Sequence, residues 1–205
     1  MDSIEVISEL FEKFASLYEH GDFEDLKTQD GRTQGVERSY TGVFEDVVKD
    51  AGHVYDKASS QEPYDFRIFL DETLDHKEVK RQIRKKEDLP CLESQLLLVE
   101  MKKTDTGTII LNDTVPKADA FYIVVTNKTR VKTSGKSISL YLGSQLCEAW
   151  NEEAKANDAW IKDIHEYNDY ILDLRKVMNG AACPRANITI KDSYLNDPLL
   201  SFEIA

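Results

Sequence analysis

The chain predicts an α/β fold, a mixed central β-sheet flanked by helices, on three observations. Amphipathic helical segments open it, strand-like runs rich in Ile, Val, Leu, Phe and Tyr fill its middle, and a long helical region with one last short strand closes it. Its 205 residues, 41% hydrophobic and 31% charged, have the balance of an ordinary globular protein and enough length for a core without metals or disulfides. One domain over residues 1–205 is the expectation, with N-terminal helices in 1–52, a sheet in 64–142, and a helical region and final strand in 144–205.

The first helix is marked by Ile4, Ile7, Leu10, Phe11, Phe14, Leu17 and Tyr18 at helical spacing, by Asp2 with Glu5 as a capping-box pattern, and by Gly21 as a stop. A second helix over Val36 to Asp50 uses Tyr40, Val43, Phe44 and Val47 and closes before Gly52. The period then changes. The runs "YDFRIFLD" (64–71), "SQLLLVEMKK" (94–103), "GTIILND" (107–113), "AFYIVVT" (120–126) and "SISLYL" (137–142) are separated by turn residues and read as strands. From Ser144 to Met178 the helical rhythm returns, lapsing near "EAKAND" and resuming with Trp160, Ile161, Ile164, Tyr167, Ile171, Leu174 and Met178 until Gly180. "ANITI" reads as a last strand, and the tail "DPLLSFEIA" as an edge segment or partner contact. By the same periodicity Trp150 and Trp160 are core residues.

No apolar run reaches the roughly eighteen residues of a membrane span. The start "MDSIEVISELFEKF" is acidic and amphipathic where a signal peptide is basic and then uniformly apolar, so a cytoplasmic chain is expected, with no membrane partner. Cys91, Cys147 and Cys183 lack metal or redox spacing and read as buried free thiols. His20, His53, His76 and His165 lack metal spacing, "HEYND" is not an H-E-x-x-H element, and no Gly-rich phosphate loop is present. The net charge of −12 argues on its face against a nucleic-acid partner, but its distribution does not. Residues 1–30 hold nine acids against two bases, whereas "KEVKRQIRKK" at 77–86 holds six bases against one acid and "NKTRVKTSGK" at 127–136 adds four bases. An acidic protein with two basic segments can present a positive cleft, to which Lys80, Arg81, Arg84, Lys85, Lys103, Lys117, Arg130, Lys132 and Lys136 are the candidates.

Five acid-x-lysine triplets occur, starting at Asp25, Asp75, Glu78, Glu100 and Glu153, so the spacing alone carries little. Glu100 to Lys102 alone ends an apolar strand, "LLLVEMKKT". Alternation places both side chains on one face, about 6 to 7 Å apart along the backbone. If "DFRIFL" pairs antiparallel with "LLLVEM", Asp65 comes beside Glu100, while Asp71 falls about 20 Å away. Asp65, Glu100 and the Met101 carbonyl form a hard oxygen set suited to Mg²⁺. Lys102 then stands where an attacking water is oriented for displacement at phosphorus. The same residues also suit a structural ion pair at a strand end, with Asp65 capping a turn.

Asp65 with "FRIFL", followed by Glu100-Met101-Lys102, resembles the motif of the PD-(D/E)xK nucleases, and among them the type II restriction endonucleases. Tyr64 separates Pro63 from Asp65 where the motif has them adjacent. The resemblance implies a restriction-endonuclease-like core and site-specific, Mg²⁺-dependent cleavage of double-stranded DNA by a homodimer, paired with a cognate DNA methyltransferase. It implies that Asp65 and Glu100 bind the metal and that Lys102 assists the water. Some members add an acid from the preceding helix, for which Glu45 is the available position, although Glu45 also suits a solvated helix face. Two alternatives stand beside this reading: a repair or recombination nuclease of the same fold that reads DNA structure, and a non-catalytic α/β binding protein.

Overall fold

A computed structural model describes residues 2–19, 33–57, 64–70, 96–104, 106–112, 115–127, 136–178 and 187–204. Its helices are α1 (Ser3–Glu19), α2 (Thr33–Asp50), α3 (Gly143–Ala156) and α4 (Ile164–Val177). Its strands are β1 (Val54–Lys57), β2 (Phe66–Phe69), β3 (Leu96–Thr104), β4 (Thr108–Asn112), β5 (Phe121–Asn127), β6 (Lys136–Leu142), β7 (Asn187–Lys191) and β8 (Leu200–Ile204). The fold is mixed α/β: six strands form one sheet in the order β1-β2-β3-β5-β6-β8, and β4 pairs with β7 in a separate two-stranded sheet. The chain divides into two compact units, Met1–Met101 with Ile204 and Lys102–Glu203.

In the first unit, α1 begins as its sequence pattern predicts. The Asp2 carboxylate accepts the Ile4 amide at 3.3 Å, one of the N-terminal amides a helix cannot pair internally. Val6, Ile7, Leu10, Phe11, Phe14 and Ala15 are buried, whereas Ile4 is 50% exposed and lies off that face. Phe14 meets Phe44 of α2 edge-on at 5.7 Å, and Phe44 meets Phe66 of β2 at 5.4 Å. This aromatic chain joins α1, α2 and the sheet, and each buried ring contributes about 1.5–3 kcal/mol by leaving water. Strand β1 was not expected from its sequence: four residues are too short for alternation to stand out. It pairs antiparallel with β2, from Val54 opposite Phe69 to Lys57 opposite Phe66.

The second unit contains the β5–β6 hairpin pairing, Phe121 opposite Leu142 through Asn127 opposite Lys136, whose interior Ile123, Val124, Val125, Ile138 and Leu140 are buried. The tail segment adds β8 at the sheet edge, where the Leu199 amide donates to the Leu140 carbonyl at 2.8 Å. "GTIILND" and "ANITI" pair with each other as β4 and β7 and take no place in the main sheet. Between α3 and α4 the chain turns at Asp158, whose φ of 50° lies in the left-handed region. That break lifts Trp160 out of helical register. Expected in the core, it is 75% exposed and packs only edge-on against Tyr170 at 4.9 Å among the aromatic contacts described. Trp150 does sit between α3 and α4, 5.4 Å from the Tyr167 ring. Cys147 is a buried free thiol, as read from the sequence. Cys91 and Cys183 lie outside the described residues.

Candidate active site

β3 is an interior strand of the sheet, between β2 and β5. Its burial alternates: Leu97, Val99 and Met101 are buried on one face, and Leu96, Leu98, Glu100 and Lys102 are partly exposed on the other. The buried row belongs to the aromatic core beneath α2. Glu100 and Lys102 therefore leave the strand on the opposite face, together, as alternation requires.

β2 pairs antiparallel with β3, in the register Phe66 opposite Val99 through Phe69 opposite Leu96. The pairing on which the sequence argument depended is thus present. Its end departs from regularity. Phe66 is the partner of Val99, yet the Asp65 amide also donates to the Val99 carbonyl, at 2.9 Å. Asp65, just ahead of β2, and Phe66 thus both face Val99, the arrangement of a bulge, which re-aims a side chain at the end of a ladder. Here it turns the Asp65 carboxylate along β3, where Asp65 Oδ2 accepts the Met101 amide at 2.8 Å. A carboxylate thus replaces the main-chain carbonyl that a continuing strand would have offered.

The same hydrogen bond bears on the oxygens read from the sequence as a metal set. Along an extended strand a residue's N–H and C=O point to the same side, so the Met101 carbonyl lies on the side from which Asp65 reaches the Met101 amide. Glu100 and Lys102 flank Met101 in sequence. One carboxylate, one carbonyl and a neighbouring carboxylate are all hard donors, and their number suits Mg²⁺, which keeps several waters of its own. Among the described residues no three His, Cys, Asp or Glu side chains gather as a metal cluster. Asp65 and Glu100 contribute two acidic side chains, and Met101 a main-chain oxygen.

Glu45 is engaged elsewhere. Its carboxylate accepts the Tyr55 hydroxyl at 2.8 Å and the Lys57 ammonium at 3.0 Å, and pairs with Lys49 at 3.3 Å. Tyr55 and Lys57 stand opposite Ile68 and Phe66, hence on the α2 side of the sheet, away from the Glu100 and Lys102 face. Burial pushes the Glu45 carboxyl up, but its hydrogen bonds from Lys57, Tyr55 and Lys49 outweigh this and hold it down at about 2. Near neutral pH Glu45 is an ionised clasp between α2 and β1.

Of the basic candidates, Lys103 follows Lys102 on β3 and so takes the opposite face. Lys117 lies in the turn before β5, its amide bonded to the Tyr122 hydroxyl at 2.9 Å, and Lys136 opens β6. Lys80, Arg81, Arg84, Lys85, Arg130 and Lys132 fall outside the described residues, as do the triplets at Asp25, Asp75 and Glu78. The triplet at Glu153 is structural: on α3 its acid takes Lys191 of β7 while Lys155 pairs with Glu152 at 2.7 Å. Sequence reading passed over Arg67. It stands opposite Leu98, on the face that carries Glu100 and Lys102. Its place in β2, two residues after Asp65, was the available signal.

No family model matches the chain, and comparison with curated proteins and with solved structures likewise gave no match.

Proposed function

We propose that this protein is a Mg²⁺-dependent endonuclease that hydrolyses phosphodiester bonds of double-stranded DNA at a short specific sequence. The supporting observation is the hydrogen bond from the Met101 amide to Asp65 Oδ2, 2.8 Å, which brings the acid of one strand to the residue between Glu100 and Lys102 of the next. In this reading Asp65, Glu100 and the Met101 carbonyl hold the ion, which when bound supplies positive charge against the charge developing on the phosphoryl oxygens. Lys102 donates to the attacking water, holds it in line with the leaving oxygen and stabilises the hydroxide character it acquires. Asp65 is fixed by its main-chain bond before substrate arrives, so its orientation costs little at the moment of reaction. A two-fold DNA site calls for a homodimer, and a sequence-specific cutter calls for a cognate methyltransferase to protect its host.

The test is incubation of the purified protein with plasmid or phage DNA and Mg²⁺. Discrete fragments are expected, and Glu100→Ala and Lys102→Ala are expected to lower cleavage at least about a hundredfold, the scale of losing one positioned group. Variants that cut as well as the parent would overturn the site. Cleavage confined to branched or mismatched DNA would favour a structure-reading nuclease. No Mg²⁺-dependent cleavage, with a large stability loss in Lys102→Met, would favour a binding protein in which the pair is structural.

A further inference from the structure

A polyanion that approaches Asp65 and Glu100 meets like charge, so the face that carries them needs cations to receive it. Lys102 is one. Lys57 and Lys49 do not serve, because both are drawn to Glu45 on the α2 side. Arg67 is placed differently. Its partner across the ladder is Leu98, one pleat along the same face from Glu100, a diagonal separation of about 7–8 Å between backbone positions.

Two of its contacts orient the Arg67 side chain. Its Nη2 donates to Asp56 Oδ2 of β1 at 3.1 Å, with both side chains largely buried, at 24% and 22% exposure. Its guanidinium carbon lies 5.3 Å from the centre of the Tyr64 ring. Asp56 draws the guanidinium toward β1, and Tyr64, which precedes Asp65, holds it at the end of β2 nearest Asp65. A guanidinium is always charged, keeps its donors in a rigid fork that matches phosphate oxygens, and loses little freedom when already held over a ring.

We infer that Arg67 binds a backbone phosphate of the nucleic-acid substrate beside the Asp65–Glu100–Lys102 site, with Asp56 and Tyr64 orienting its guanidinium. This rests on the nuclease reading above and adds a substrate-positioning residue to it. Asp56 keeps the guanidinium on the substrate-facing side of the sheet. Tyr64 supports it from behind through cation–π attraction.

The experiment measures binding of a fluorescent DNA duplex to full-length protein across a salt series without divalent metal, together with Mg²⁺-dependent cleavage by the same samples. Parent, Arg67→Ala, Arg67→Gln and Asp56→Asn are compared, with melting curves for each. Arg67→Ala should weaken binding about tenfold, and the slope of log K against log salt should fall by about 0.9, the loss of one phosphate contact. Arg67→Gln removes the charge and shortens the side chain but keeps a polar, hydrogen-bonding group, so it serves if Arg67→Ala fails to fold. It should lose the same slope. Asp56→Asn, which leaves the arginine charge in place, should keep the parent slope even if it melts earlier. A purely structural arginine would shift melting and leave the slope unchanged. Parent cleavage with an unaltered slope in folded Arg67→Gln overturns the Arg67 assignment alone. A parent that neither binds nor cuts DNA overturns it together with the nuclease reading.

Discussion

In the proposed function Asp65 carries two roles that one substitution can separate. Its carboxylate accepts the Met101 amide, and in that proposal it also binds the metal. Asp65→Ala leaves that amide without its acceptor and should cost about 1–3 kcal/mol of stability. Asp65→Asn keeps an oxygen acceptor and removes the charge, so urea unfolding should find it within about 1 kcal/mol of the parent while metal-dependent cleavage is lost. An Asp65→Asn protein that cuts normally would remove Asp65 from the metal set. Gly143 is constrained by sterics. A Cβ there would lie 1.7 Å from the Lys117 carbonyl oxygen, and the Gly143 amide already donates to the Ala120 carbonyl at 2.7 Å. Both neighbours are main chain, so no side chain can swing away, and Gly143→Ala should lower stability by about 3 kcal/mol. An unchanged urea midpoint would contradict that packing. Cys147 is quiet for a related reason: burial raises its thiol to about 11, and its Sγ donates to the Pro116 carbonyl at 3.4 Å.

The pairing of α2 with β1 depends on the Glu45 carboxylate with Tyr55, Lys57 and Lys49. Its pH dependence follows from its sign. The folded carboxyl titrates at about 2 instead of its ordinary 4.5, so the stabilisation is complete above 4.5 and is lost as pH falls toward 2. Glu45→Gln should therefore be less stable than the parent by about 2 kcal/mol near neutral pH, with the two stabilities converging between pH 5 and about pH 2. Urea titrations at several pH values measure this, and a difference that persisted unchanged at pH 2 would contradict the clasp. The α3–α4 junction shows how a cap places an element that periodicity blurs. Asp163 accepts the His165 amide at 2.8 Å and the Glu166 amide at 3.2 Å, while Asn151 accepts the Ile164 amide at 2.8 Å. These bonds start α4 at Ile164, so the rhythm read from Trp160 onward began one turn too early.

At the scale of the whole molecule, the sequence by itself determined the class of fold and most of the elements that compose it. Burial imposes a period of 3.6 on helices and 2 on strands, and those periods are visible in α1, α2, β3 and β5 without any partner. It also singled out Glu100 and Lys102, because neighbours on one strand are two residues apart whatever the sheet does. What lies between strands was not legible to the same degree. The antiparallel pairing of β2 with β3 was an assumption until the register was seen, and the bulge at Asp65 could not have been anticipated, since it depends on which carbonyl meets which amide across the ladder. Only tertiary structure sent β4 and β7 to a sheet of their own, added the four-residue β1, and put Glu45 on one side of the sheet and Arg67 on the other. The reason is physical: a local pattern records which side of an element is buried, whereas the partner of that side is chosen by contacts between residues far apart in sequence.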